Sequence, residues 1–427
     1  MRLRKFWAST RDSLWFIPSI WVLASGVLAF VLIAVDSATP DFATDYPLVF
    51  GGGAEGARGL LSSIAGSMIT VAGVTFSITL VALQLASSQF SPRVLRNFMG
   101  DRVTQVVLGS FIGTFTYAIL VLRSIRGQEI DADPFVPSLS VSVGIVLALV
   151  ALGMLVFFIH HIATRIQIST IIATIADETT ERIRDEWREE GADAEDHDDS
   201  VPQRPARAIT ARQSGNLQLV DHEGLGKIAS ELRITVRLEV RPGEWVQEGA
   251  ALFSVWPEES AADELADRLS DHLTVGDQRS LEQDAAFGIR QLVDVALRAI
   301  SPGVNDPTSA ADCIQRIGQV LVAAGTRRQP ETCVHDDDGS LRVLVPHRDF
   351  EELTQLAFDQ MRQYGHGNAD VLVTMLDTLY LAASALPPAR RVPLQRQAAL
   401  ILKGVDAIPI DADRERVVAA IHRMHAL

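Results

Sequence analysis

Residues 60–86 read LLSSIAGSMITVAGVTFSITLVALQLA and contain no Asp, Glu, Lys or Arg. A helix rises about 1.5 Å per residue, so this stretch would extend roughly 40 Å. The hydrocarbon core of a bilayer is about 30 Å thick, and about 20 predominantly apolar residues cross it. The stretch therefore predicts a membrane-spanning helix and places the chain among membrane proteins.

Three further apolar segments, residues 16–35, 103–122 and 139–160, also predict membrane-spanning helices. Basic residues precede the first segment, which raises the alternative of a cleaved signal peptide. Its apolar core is longer than the 7–15 residues typical of a signal peptide, and three more spans follow. We therefore interpret it as a retained anchor, and we expect the lipid bilayer to be the first partner of the chain.

The amino-acid composition excludes several classes of protein. The chain has 427 residues, of which 48% are hydrophobic and 21% charged. Its only cysteines, Cys313 and Cys333, are too few for a disulfide scaffold or a zinc ribbon with paired cysteines. The net charge of −15 argues against a general nucleic-acid-binding protein.

The short loops predict an orientation. Seven Lys and Arg residues lie before the first span and between the second and third spans, against three in the other two loops. Loops rich in Lys and Arg stay in the cytoplasm. We therefore expect both termini, and the whole region after the fourth span, to be cytoplasmic.

The second span carries an unusual polar stripe. Successive residues of a helix are about 100° apart, and six polar residues of this span fall within an arc of about 100°. The six are Ser63, Ser67, Thr70, Ser77, Gln84 and Ser88. Only Val74 and Val81 interrupt the stripe. One interpretation is structural, because small residues let helices approach and hydroxyls bond to their own backbone. The other is a pore lining, with the two valines as apolar constrictions.

Beyond residue 164 the pattern becomes that of a mixed α+β region. Residues 165–206 predict a helical extension and an acidic linker, residues 207–258 a small β-barrel, and residues 259–427 a mainly helical domain with one β-hairpin. The Pro-Gly turn at residues 242–243 resembles half of a lipoyl or biotinyl carrier domain. Those carriers need a lysine on a hairpin, and Lys227 matches no such position, so no cofactor is expected.

A second group of candidate residues lies at a predicted helix junction. Arg290, Asp294 and Arg298 are spaced by four and align along one helix face, either as a solvated charge ladder or as a ligand site. Asn305 and Asp306 follow, and Asp306 with a proline after it predicts the start of the next helix. Free amides at such a start could face an anion.

Signals for chemistry are otherwise few. The three aspartates from Asp336 to Asp338 could bind a metal, but acidic residues are common at the tips of hairpins that end in Asp-Gly. No phosphate-binding loop, zinc-protease motif or serine-hydrolase motif is present in the sequence. We therefore do not expect an enzyme.

Two motifs resemble a known family. One is QLASSQFSPR at residues 84–93, and the other runs from FGIR at residues 287–290 through RAISP at residues 298–302 to NDP at residues 305–307. They resemble the bacterial membrane-protein family catalogued as domain of unknown function 2254. The resemblance covers nearly the whole chain and implies a multi-pass protein of the bacterial inner membrane. It implies no activity.

These observations leave two functional hypotheses. The first is a homo-oligomeric inner-membrane channel, in which the second span lines a passive path and the cytoplasmic region forms a collar. The second is a membrane-anchored scaffold or sensor, whose acidic cytoplasmic region binds an unidentified protein partner.

Overall fold

The computed structural model describes residues 15–38, 50–89, 101–127, 135–165, 167–189, 204–258, 263–330 and 333–425. The chain divides near residue 167 into two compact units. We call them the N-terminal unit and the C-terminal unit.

The N-terminal unit contains the four predicted spans as helices. They are α1 (Phe16–Ala38), α2 (Ala54–Gln89), α3 (Arg102–Ser124) and α4 (Ser138–Arg165). Each has the length and composition needed to cross a membrane. The predicted number and positions of the apolar helices are thus confirmed.

Helix α3 is the centre of the N-terminal unit, since 56% of its apolar window is buried, against 28% or less for the other three helices. Two glycines bring α1 close to it. A Cβ atom at Gly109 would lie 2.6 Å from a ring atom of Trp21, and one at Gly113 would lie 2.7 Å from the hydroxyl of Ser25. Small residues four apart let helices pack tightly in a membrane, where apolar burial alone gives little association.

Asp36, near the end of α1, accepts hydrogen bonds from backbone amides in the first turn of α4. Its buried carboxylate accepts hydrogen bonds from the amide of Leu139 at 3.0 Å and from the amide and hydroxyl of Ser140 at 2.9 and 2.6 Å. Tyr117 of α3 donates to the carbonyl of Ser140 at 2.7 Å. The first amides of a helix lack intrahelical partners, so this carboxylate takes the place of a local N-cap.

The C-terminal unit contains both helices and short strands. Its helices are α5 (Ile168–Glu186), α6 (His222–Glu231), α7 (Asp263–Ser270), α8 (Ala285–Ala299), α9 (Pro307–Gly325), α10 (Phe350–Gly365), α11 (Ala369–Ser384), α12 (Pro388–Lys403) and α13 (Asp411–His425). Its strands are β1 (Arg188–Glu189), β2 (Arg207–Thr210), β3 (Gly215–Val220), β4 (Thr235–Leu238), β5 (Trp245–Val246), β6 (Ala251–Trp256), β7 (Leu273–Gly276), β8 (Arg327–Arg328), β9 (Cys333–His335) and β10 (Leu341–Leu344).

The predicted β-barrel of residues 207–258 is wrong. Strands β2, β4 and β6 of this segment join a five-stranded sheet of order β2-β6-β4-β10-β9, whereas β3 and β5 join β7 in a separate three-stranded sheet. The parallel pairing of β4 with β10 brings in residues about a hundred positions later. Apolar residues of both sheets and of α6 and α7 share one core, so the strands cover their apolar faces without closing a barrel.

The helical part follows the predicted periodicity closely. Residues 259–427 are mainly helical as predicted, with helices α7 to α13, and the predicted hairpin corresponds to β9 and β10, which pair antiparallel. Helix α8 is buried on almost every side. At Gly288 it packs so closely against Thr179 of α5 that an added Cβ atom would overlap the threonine side chain.

Replacing Asp36 tests its role in joining α1 to α4. We expect Asp36→Ala to lower the free energy of unfolding of the N-terminal unit by about 2–4 kcal/mol, because two amides of the first turn lose a charged acceptor. Unfolding by sodium dodecyl sulfate in mixed micelles, followed by circular dichroism, measures this. Ser142→Ala, which removes one hydrogen bond from the amide of Phe50, is the matched control with an expected loss of about 1 kcal/mol. Equal losses in the two variants would contradict the role given to Asp36.

Candidate functional site

The polar stripe of α2 faces away from the other helices of its own chain. Five of its six polar residues are exposed in the isolated unit, and Val74 and Val81 are 54% and 56% exposed; the five are Ser63, Ser67, Thr70, Ser77 and Gln84. The side chain of Ser88 lies outside the described residues. The buried residues of α2, among them Leu61, Met68 and Ala72, lie on the opposite side of the helix.

The polar side chains of the stripe are of two kinds. Thr70 and Ser77 donate to the carbonyls of Gly66 and Gly73, four residues earlier, at 2.8 and 2.9 Å. Ser63, Ser67 and Gln84, in contrast, have no side-chain hydrogen bond among the described residues. The stripe therefore includes polar side chains that have no hydrogen-bond partner within the described part of the chain.

Three glycines run beside the stripe at intervals of seven residues. A Cβ atom added at Gly59, Gly66 or Gly73 would meet no atom within 4 Å. Gly109 and Gly113 of α3 differ from these glycines, because residues of α1 in the same chain already occupy the space beside them. The glycines of α2 therefore leave an open groove along the outward face of the helix.

The junction residues of the C-terminal unit form local structural contacts. Arg290 and Asp294 pair with each other at 3.0 Å on α8, and Arg298 lies one turn further on. Asn305 has a φ of +50°, which turns the chain sharply. Asp306 caps α9 as predicted, accepting from the amide and hydroxyl of Ser309 at 3.1 and 2.5 Å.

The acidic hairpin turn also uses its first carboxylate internally. Asp336 accepts from Arg342 at 2.5 Å and from the amides of Asp338 and Ser340 at 3.2 and 2.9 Å. These bonds lower the pKa of Asp336. The aspartate thus stabilises the turn, as expected for an acidic hairpin tip.

A small polar cavity of about 30 Å³ lies where α5 ends and α8 begins. Glu186 lines it from α5, and Asp284, the N-cap of α8, lines it from the other side. Asp284 is buried, pairs with Arg279 at 2.7 Å and lies against Gly243. Glu186 has a buried Oε1 atom with no hydrogen-bond partner among the described residues. A cavity of this size can hold a water molecule.

Burial raises the pKa of both carboxyl groups that line this cavity. Burial, with a contribution from the charge of Asp284, raises the pKa of Glu186 to about 8. Burial also raises the pKa of Asp284, against the opposing effect of Arg279. Burial lowers the pKa of His347, which also lines the cavity, to about 4. Glu186 and the imidazole of His347 therefore favour their neutral forms near pH 7.

Sequence reasoning did not find this cavity. Its residues come from segments about 170 positions apart, from Glu186 to Leu353, and share no motif spacing. The Pro-Gly turn at residues 242–243 was the one available signal. Gly243 has a φ of +84°, and an added Cβ atom there would overlap the carboxylate of Asp284.

The pH dependence of stability tests the environment of Glu186. The ordinary pKa of a glutamate is 4.5, so the folded chain holds a proton that the unfolded chain releases between pH 4.5 and 8. Stability contributed by this group therefore falls as pH rises through that window. We expect Glu186→Gln to raise the melting temperature at pH 8 by several degrees and to have little effect at pH 5. Glu181→Gln, at an exposed position of the same helix, is the control. An identical pH profile for both variants would contradict a raised pKa at Glu186.

Comparison with known proteins agrees with the four apolar helices. The family described as "Predicted membrane protein (DUF2254)" matches residues 11–380. The chain is 34% identical to uncharacterized protein Mb1321c of Mycobacterium bovis and to uncharacterized protein Rv1290c of Mycobacterium tuberculosis. In both cases the similarity covers 97% of this chain and 80% of the relative. No solved structure is significantly similar to the chain. The chain thus belongs to this DUF2254 family of predicted membrane proteins.

Proposed function

We propose that the chain forms a homo-oligomeric channel in which copies of α2 surround a passive path across the membrane. The observation that carries this proposal is the outward direction of the polar stripe of α2. In a membrane, such a stripe faces one of three environments: lipid, the surface of another protein chain, or water in an enclosed path.

The polar groups make lipid an unfavourable neighbour. An amide or hydroxyl transferred to a hydrocarbon environment without a hydrogen bond costs several kcal/mol. Thr70 and Ser77 avoid that cost through their own backbone, but Ser63, Ser67 and Gln84 have no such bond among the described residues. Water in a path, or a polar group of another copy, would satisfy them.

The spacing of the small residues supports association of α2 with another α2. Gly59, Gly66 and Gly73 alternate with Ser63, Thr70 and Ser77 at intervals of four and three residues. This 3.5-residue period is the one that left-handed helix pairs use. Because nothing in the described part of the chain fills the space above the glycines, a second copy could approach closely there.

The same face has the features of a narrow passive path. In an oligomer with α2 at its centre, hydroxyl groups would line the path and Val74 and Val81 would form apolar constrictions that gate by dewetting. No charged residue lies in the sequence between Arg58 and Arg93. A proton relay or an ion-coupled carrier would need ionisable groups in the membrane. The Lys and Arg bias of the loops supports placing the C-terminal unit in the cytoplasm.

Substitution of a groove glycine tests the assembly. We expect Gly66→Leu to weaken self-association about tenfold or more, because added methylene groups in a tight contact cost about 1–3 kcal/mol. Gly153→Leu on α4 is the matched control, since Gly153 is exposed and also has no atom within 4 Å of an added Cβ. Light scattering of purified protein in detergent gives the oligomer mass. A monomeric native chain, or equal effects of the two variants, would contradict the proposal.

Ion flux into liposomes tests conduction separately. Val74→Asp should increase flux by hydrating an apolar constriction, and Ser77→Leu should reduce it. Flux that is absent from the native chain and from both variants would rule out a channel even if the oligomer forms.

A further inference from the structure

A second, larger cavity of about 350 Å³ lies between α5 and α9 within the C-terminal unit. Three arginines lie on its walls, one from each of α5, α9 and β8. The polar residues that line the cavity are Asp177, Thr180, Arg184, Arg316, Gln319, Thr326 and Arg327. The volume falls in the range of small-molecule sites, about 300–1,000 Å³.

None of these arginines forms an ion pair with a carboxylate among the described residues. Arg316 donates to the amide oxygen of Gln319 at 3.1 Å, and Arg327 donates to the carbonyl of Ala323 at 3.0 Å. The Nε atom of Arg327 is buried and has no hydrogen-bond partner within the described ranges. Several guanidinium donors therefore remain available to a ligand.

Such an arrangement is unusual in this acidic chain. With 53 Asp and Glu residues against 38 Lys and Arg residues, carboxylates are plentiful, and many arginines elsewhere in the unit pair with them, as Arg268 does with Glu231 at 3.0 Å. Three like charges around one cavity repel one another, and Asp177 is the only carboxylate among the described lining residues. An anion in the cavity would relieve this repulsion.

We propose that this cavity binds a small molecule carrying two or more linked phosphate groups, held by Arg184, Arg316 and Arg327. Guanidinium groups bind phosphate oxygens through paired hydrogen bonds, which makes arginine well suited to this role. No aromatic side chain is among the described residues that line the cavity. Recognition therefore rests on the phosphate groups and not on stacking of a base. The site is independent of the proposed channel.

A neighbouring cavity shows on which side of α9 an anion would bind. A cavity of about 490 Å³ on the other side of α9 shares Arg316 and Gln319, but Asp312 and Asp377 also line it. Two carboxylates there would repel an anion. The phosphate groups are therefore expected on the α5 side of α9.

Calorimetric titration with inorganic pyrophosphate tests the proposal, using the full chain in nanodiscs of phosphatidylcholine. We expect saturable binding that weakens about tenfold or more in Arg184→Gln and in Arg316→Gln, because each loses a charge-assisted hydrogen bond. Neither variant breaks an ion pair among the described residues, so folding should be retained. Arg268→Gln, which removes an exposed arginine elsewhere on the same unit, should bind as the native chain does.

Absence of saturable binding by the native chain would overturn the proposal, and so would equal weakening in Arg268→Gln. A second arm identifies the source of the phosphate. If a lipid headgroup is the natural ligand, nanodiscs containing a phospholipid whose headgroup carries two or more phosphate groups should weaken pyrophosphate binding to the native chain but leave residual binding to Arg316→Gln unchanged. If a free phosphate compound is the ligand, the two lipid compositions should give the same affinity at matched ionic strength.

Discussion

The absence of hydrogen-bonding partners in the hydrocarbon core of a bilayer decides how the N-terminal unit is built. Each polar group in its helices must find a partner in the protein or in enclosed water. The carboxylate of Asp36 supplies one to the first turn of α4, and Tyr117 bonds to a backbone carbonyl. Helix α3 turns most of its polar residues inward. Helix α2 instead presents its polar stripe outward, and that exception is the basis of the functional proposal.

The C-terminal unit is organised around close contacts of buried helices and sheets. Helix α8 lies at its centre, with α5 packed against Gly288 and a polar cavity at its capped start. Because α5 contributes Glu186 to this cavity and Arg184 to the arginine-lined cavity, both sites include the same helix end. A proton at the first site and an anion at the second would therefore act on neighbouring residues of one helix.

Sequence patterns predicted the helices well and the sheets poorly, for a physical reason. Long apolar segments and 3.6-residue periodicity are local properties, so the four spans and the helical character of residues 259–427 could be predicted. The pairing of Val236 with Val343 joins strands far apart in the chain, and no local pattern specifies it. The stripe of α2 could be identified from its period, but its outward direction depends on which side packs against α3 and α4. The Glu186 and arginine-lined cavities likewise arise from tertiary contacts.

Cysteine cross-linking in native membranes tests the central claim, that the outward face of α2 meets α2 of another copy. Single cysteines along α2 would be oxidised in a chain whose own Cys313 and Cys333 are replaced by alanine. We predict intermolecular disulfides at Ser63, Gly66, Thr70 and Gly73, with a period of 3.5 residues, and far weaker ones at Phe76 and Ile78. These two residues are also exposed but lie on the flanks of the stripe. Cross-links that are absent from the stripe, or equally strong at the flanking positions, would contradict an α2–α2 interface.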